Sequence, residues 1–184
     1  MRLFFAIDFT HQLKDELSGC IAELKRYAPL FNWVRRDALH LTIKFLGEVD
    51  TEKLDLIKES VNNAFSEINV FDLESTNPGF FPNKRNPRVY FLGLLPSEQL
   101  TRVFSVLEDK MQKAGYEKEK RNFHPHITLC RIKERVINPD ILLRLENYKF
   151  NTFRLQVDQI ILLQSTLTPT GARYTPVQKF SLRA

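Results

Sequence analysis

Apolar residues fill positions 3–7 without a break between Arg2 and Asp8, so the chain opens on a strand over 2–9 that is buried on both faces. Thr10 then offers an N-cap. Leu13, Leu17, Ile21 and Leu24 recur at helical spacing, which predicts a helix over 11–27 stopped by Pro29. Residues 31–34 read as a short strand, 35–37 as a turn, and 39–46 as a strand closed by Gly47 and Asp50. Thr51 caps a second helix, with Leu54, Ile57, Val61, Ala64 and Phe65 on one face.

The second half repeats this alternation of element types. Residues 70–75 form a strand, 78–88 are dense in turn formers, and 89–94 form another strand. Ser97 caps a third helix over 97–114, with Leu100, Val103, Phe104, Leu107 and Met111 inward and Gly115 as its stop. Residues 117–121 are a charged, exposed connector. A strand over 123–132 follows, in which Pro125 marks a start or an edge. Asn138-Pro139-Asp140 opens a short helix over 138–147, and 153–163 is one long strand. A turn at 168–171 leads to the final strand, 174–182. Strands joined by tight turns, with no Gly-rich phosphate loop, predict an antiparallel α+β arrangement and not a doubly wound parallel sheet.

One pattern is written twice. His40-Leu41-Thr42-Ile43 returns as His126-Ile127-Thr128-Leu129, displaced by 86 residues (126 − 40). On a strand, residues two apart share a face, so His40 projects with Thr42 and His126 with Thr128, while the apolar members face a core. A single His-x-Thr on a strand is ordinary decoration; the repetition carries the signal. Two imidazoles across a groove supply an acid and a base near neutral pH, and two hydroxyls can donate to phosphate oxygens. Phosphodiester chemistry needs that set of groups, and a strained cyclic phosphate needs less assistance than a linear diester. The near-symmetric placing predicts two similar lobes around one groove.

Composition narrows the setting. At 184 residues the chain is long enough for one sizeable core, read as a single domain over 1–184. No apolar run reaches the roughly 20 residues of a membrane-spanning helix. The first apolar run is too short for a signal sequence, so a cytoplasmic protein is expected. A net charge of +5 tilts modestly toward an anionic partner. Cys20 and Cys130 make no disulfide framework, and the four histidines lack metal-site spacing, so no metal or other cofactor is expected. His11 reads as exposed at a helix start. Lys84, Arg85 and Arg88 read as a solvated hairpin tip in preference to an electropositive rim for a phosphate chain. Lys44 and Cys130 share strand parity with the motif histidines, but a salt-bridged lysine and a small buried cysteine are the expectations. His124 has the parity of His126 and is read as a supporting or surface residue.

The paired motifs match the signature of the two-histidine phosphoesterases, and the chain most resembles the RNA 2′,3′-cyclic phosphodiesterases, historically called 2′-5′ RNA ligases. The likeness extends to Arg2-Leu3-Phe4-Phe5-Ala6-Ile7-Asp8, Trp33-Val34, Lys44-Phe45-Leu46-Gly47-Glu48-Val49, Gly79-Phe80-Phe81-Pro82, Pro87-Arg88-Val89 and Gly171-Ala172-Arg173-Tyr174. The resemblance implies a bilobal, pseudo-twofold α+β fold: two antiparallel sheets with outer helices around a central cleft. It implies metal-free hydrolysis of an RNA 2′,3′-cyclic phosphate to a 2′-phosphate. His126 would be the general base, His40 the general acid, and Thr42 and Thr128 the phosphate-binding groups. Joining the cyclic end to a 5′-hydroxyl would be the reverse reaction. The resemblance also makes Arg131, Phe45 and Phe4 substrate-binding residues, with the chain acting as a monomer on a tRNA-like or oligonucleotide RNA.

Strict alternation disagrees on two of these. It turns Arg131 away from His126 and Phe45 away from His40, so a bulge or a strand end would be needed to bring Arg131 round. Two rival readings remain: a phosphodiesterase for small nucleotides such as ADP-ribose cyclic phosphate, and a catalytically silent nucleotide- or RNA-binding module.

Overall fold

The computed structural model describes residues 1–133, 137–169 and 171–184. Nine strands and four α-helices follow one another as β1 (Arg2–Asp8), α1 (His11–Lys25), β2 (Asn32–Trp33), β3 (His40–Glu48), α2 (Leu54–Phe65), β4 (Phe71–Phe81), β5 (Val89–Leu94), α3 (Glu98–Lys113), β6 (His126–Arg131), α4 (Pro139–Asn147), β7 (Arg154–Val157), β8 (Gln159–Thr168) and β9 (Gly171–Ser181). The class is α+β, and the ladders between named strands are antiparallel.

The strands do not form the two separate sheets expected. They run as one hydrogen-bonded path, β7-β4-β5-β6-β3-β1-β8-β9, with β2 added beside β6. The halves meet at a narrow seam where Leu41 of β3 pairs with Ile127 of β6. Four strands of the path lie on each side of that seam, with the two motif strands innermost. Twofold likeness survives as strand order within a single sheet.

Helix positions follow the apolar spacing. Leu13, Leu17, Ile21 and Leu24 of α1, Ile57, Val61 and Phe65 of α2, and Leu100, Val103, Leu107 and Met111 of α3 are all buried. Thr10 and Ser97 accept from the amides of Leu13 and Leu100, capping α1 and α3. These faces join alternate strand residues of both halves in one core. A second, small cluster of Phe4, Ala6, Ile161 and Leu163, with Tyr174 against it, lies apart from that core. Among the described residues no helix is long and apolar enough to cross a membrane.

Several boundaries differ from those expected. Helix α1 ends at Lys25, before Pro29 could stop it, and a 3-10 turn at Thr51–Lys53 precedes α2. Strand β4 runs through Pro78 and Gly79 because a register shift between Ser75 and Pro78 absorbs the proline at a bulge. The turn is confined to the residues after Phe81, and Arg88 closes it by donating its amide to the Phe81 carbonyl at 2.7 Å. The long strand over 153–163 is two, broken at Asp158: β7 pairs with β4 at one end of the sheet and β8 with β1 in the other half. The final turn includes Thr170, which lies outside the described residues.

Helix α4 is tied to the sheet by Tyr90, fully buried, whose hydroxyl donates to the Leu145 carbonyl at 2.8 Å. Tyr90→Phe leaves that carbonyl without its partner and should cost about 1–3 kcal/mol, read as a lower denaturant midpoint at unchanged slope.

Candidate active site

Both motif strands are irregular at corresponding places. In β3 the register with β1 runs Phe5↔Lys44 and then Ala6↔Thr42, leaving Ile43 unpaired in the count. In β6 the register with β5 runs Tyr90↔Cys130 and then Phe91↔Thr128, leaving Leu129 unpaired. Ile43 and Leu129 stand at equivalent motif positions, so the bulge is repeated with the motif. Its consequence is a reversal of parity. Burial along the first six residues of the two strands is the same, with two buried residues in succession before an exposed one. Lys44 and Cys130 turn inward, and Phe45 and Arg131 come round to the histidine side. The bulge that Arg131 required is present, and Phe45 shares its solution.

Phe45 is 62% exposed, its ring centroid 5.5 Å from that of Phe4. Phe4 is 1% exposed and lies beneath His40, centroids 5.0 Å apart, so it supports the site and presents almost no face of its own. Lys44 pairs with Glu108 of α3 at 2.6 Å, as expected of a salt-bridged lysine. Cys130 is fully buried.

The two rings are held alike. His40 Nδ1 lies 2.9 Å from the Ala38 carbonyl and His126 Nδ1 lies 2.7 Å from the His124 carbonyl. A carbonyl only accepts, so each Nδ1 carries its proton and donates it to the residue two positions back. That leaves Nε2 of each neutral ring with a lone pair, and the Thr42 hydroxyl donates to that of His40 at 2.8 Å. The seam at Leu41 and Ile127 sets the strands side by side and antiparallel, so His40 stands toward Thr128 and Thr42 toward His126 on one face. All four line a cleft of about 1690 Å³, together with Arg131, Phe45 and Tyr174. The arrangement can move a proton on either side of a bound anion.

A model of the 2′-5′ RNA ligase superfamily matches residues 13–168. The chain belongs to this superfamily. It is 34% identical to the RNA 2′,3′-cyclic phosphodiesterase of Thermotoga maritima, over 95% of this chain and 91% of that one. The protein of that name from Methanocaldococcus jannaschii is also 34% identical, over 98% of this chain and all of its own. Among solved structures, E. coli LigT complexed with 3′-AMP superposes with a TM-score of 0.79 at 29% identity, covering 98% of this chain and 97% of that one.

Within this superfamily member, sequence reading missed the aromatic collars of the histidines. Tyr174 meets His40 edge-on with centroids 5.1 Å apart, and Phe81 and Phe91 meet His126 at 4.9 and 5.4 Å. Phe81 and Phe91 are themselves stacked at 4.2 Å. Phe91 on β5, Phe81 on β4 and Tyr174 on β9 reach the histidines through the strand order, which is invisible without the pairing, although Gly171-Ala172-Arg173-Tyr174 and Gly79-Phe80-Phe81-Pro82 belonged to the resemblance. Of the hairpin cations only Arg88 lines the cleft, and Lys84 is paired with Glu146. His11 lies at the start of α1 and is exposed, and His124 is exposed on the cleft wall.

Enclosure has an electrostatic consequence. Burial pushes the His40 imidazole down to about 4 against the opposing pull of its bond to the Ala38 carbonyl. Burial also lowers His126, and the nearby charges of His124 and Arg131 lower it further. Both rings are therefore neutral in the free protein at pH 7. The unfolded chain takes a proton at residue 40 near pH 6.5 and the folded chain only near 4, so this contribution to stability is full above 6.5 and is lost as pH falls toward 4. The difference is on the order of 3 kcal/mol. The Tm of the wild type should fall more than that of His40→Asn between pH 7.5 and 4.5; parallel curves would contradict the shift.

The collar around His126 gives a second prediction. A Cβ added at Gly79 would come within 2.7 Å of the Phe91 ring. Gly79→Ala should push Phe91 against the imidazole, costing about 1–3 kcal/mol and moving the His126 ring resonances. Unmoved resonances would show that Phe91 yields in another direction.

Proposed function

We propose that this chain hydrolyses the 2′,3′-cyclic phosphate at the end of an RNA to a 2′-phosphate. The observation that carries the reading is the pair of imidazoles lining the cleft, each fixed through Nδ1, which leaves Nε2 as the nitrogen that exchanges protons. The superfamily and the names of its relatives agree with it.

His126 acts as general base. Its Nε2 takes a proton from water as the water oxygen bonds to phosphorus. The bond from phosphorus to the 3′ oxygen breaks, and His40 gives that oxygen a proton from its own Nε2. Each transfer is worth about 10²–10⁴ in rate. Thr42 and Thr128 donate to the non-bridging oxygens. Thr42 does so by turning its hydroxyl away from His40, which also frees Nε2 for protonation. The anionic substrate favours that protonation, opposing the burial that keeps the free ring neutral. Arg131 contacts phosphate, and Phe45 presents an exposed ring to the terminal base. Read backwards, with a 5′-hydroxyl in place of water, the same groups join RNA ends by a 2′-5′ linkage. The chemistry is complete with protein groups, so no metal enters the scheme.

Incubation with an RNA ending in a cyclic phosphate should release a 2′-phosphate end, undiminished by chelator. A 3′-phosphate product would sink the assignment of the leaving oxygen. Loss of turnover in EDTA with recovery on a divalent ion would sink the metal-free scheme. His40→Ala and His126→Ala should each lower kcat by at least about 10² with the fold retained. Because kcat/KM reports the free protein, in which both imidazoles are lowered, its bell should peak on the acid side of neutrality. The profile of kcat, measured with the anion bound, should lie at higher pH.

A further inference from the structure

Residues 117–122, between α3 and β6, form a wall of the cleft. Gly115, at φ 89°, turns the chain out of α3. Just beyond, the Lys44 ammonium donates to the Glu117 carbonyl at 2.9 Å while it pairs with Glu108. The other carboxylate oxygen of Glu108 accepts the Glu119 amide at 2.8 Å. At the far end Phe123 stacks on Phe104 of α3, with centroids 4.5 Å apart and rings 7° from parallel. The segment is a strap fastened at both ends.

Its first fastening is unusual for depth. Lys44 and Glu108 are each 5% exposed, and a pair buried that far is often no more stabilising than an apolar one of the same volume. An apolar pair, however, could not bond the strap's polar backbone. Between the fastenings Lys120 and Arg121 are exposed along the cleft. Lys118 is paired with Asp109 at 2.7 Å, and Glu119 turns its carboxylate back to the Arg121 amide at 3.1 Å. No such partner engages the Lys120 ammonium or the Arg121 guanidinium among the described residues. The cleft, at about 1690 Å³, exceeds the roughly 300–1,000 Å³ of small-molecule pockets, so it has room beyond one nucleotide.

We propose that the strap binds the phosphates of the RNA chain leading into the cyclic end, with Lys120 and Arg121 as its contacting cations and the buried Lys44–Glu108 pair as the clasp that positions them. This rests on the hydrolase reading and adds to it a preference for a polynucleotide over a mononucleotide. The strap runs directly into β6, so chain bound along it arrives at His126.

The test compares an oligonucleotide ending in a 2′,3′-cyclic phosphate with 2′,3′-cyclic AMP, over a series of KCl concentrations. Lys120→Gln/Arg121→Gln should raise KM for the oligonucleotide by about ten-fold and make log kcat/KM less steep in log salt by about 0.7 per cation removed. Its kcat/KM on cyclic AMP should move by less than about two-fold, because a lone nucleotide has no upstream phosphate to lose. Lys84→Gln/Arg85→Gln removes the same formal charge outside the cleft and should leave oligonucleotide KM nearly unchanged. Lys44→Met/Glu108→Leu, which removes the clasp at similar volume, should lose the oligonucleotide preference alone. An equal effect on both substrates, an unaltered salt slope, or an equal loss from the hairpin variant would overturn the strap. A wild-type chain that opens neither substrate would instead overturn the hydrolase reading beneath it.

Discussion

A strand that alternates strictly cannot place two residues five apart on the same face, yet His40 lines the cleft with Phe45, and His126 with Arg131. An extra residue at the fourth position of each motif, Ile43 and Leu129, removes the conflict. Ahead of it, the imidazole and hydroxyl face the cleft. Past it, parity reverses, and the strand sends Lys44 or Cys130 inward and Phe45 or Arg131 outward. Because the irregularity recurs with the motif, the halves share a frame. They differ in what the frame carries: an exposed aromatic ring on one side of the seam and a cation on the other.

The narrowness of the seam has its own significance. A single register pair, Leu41 with Ile127, joins the motif strands, and it lies between the two histidine-threonine sets. Both residues are fully buried, so the joint is anchored from the core side while the opposite face stays open as the cleft. Enclosure by Phe4 and Tyr174 on one side, and by Phe81 and Phe91 on the other, withdraws water from the imidazoles. Low proton affinity in the free protein follows from that withdrawal.

Polar burial elsewhere follows the same economy of partners. No buried side-chain nitrogen or oxygen among the described residues lacks a hydrogen bond. Lys44 and Glu108 meet that requirement partly through backbone groups of residues 117–119, which turns a deep ion pair into an attachment for the cleft wall.

By itself the sequence determined the helices, whose apolar spacing and caps at Thr10 and Ser97 are local properties, and the outward direction of His40, Thr42, His126 and Thr128, which follows from period two. The doubled motif also pointed to the superfamily, because residue types and their repetition need no coordinates. Tertiary structure alone decided the features that depend on pairing. The bulges at Ile43 and Leu129, the passage of β4 through Pro78, the break at Asp158 and the joining of both halves in one sheet all arise where a strand meets a particular neighbour. Register is a property of two segments, and a pattern read along one segment contains no term for its partner. For that reason alternation along the chain turned Phe45 and Arg131 away from the histidines and left Tyr174 unplaced, and only the pairing of the strands set all three on the cleft.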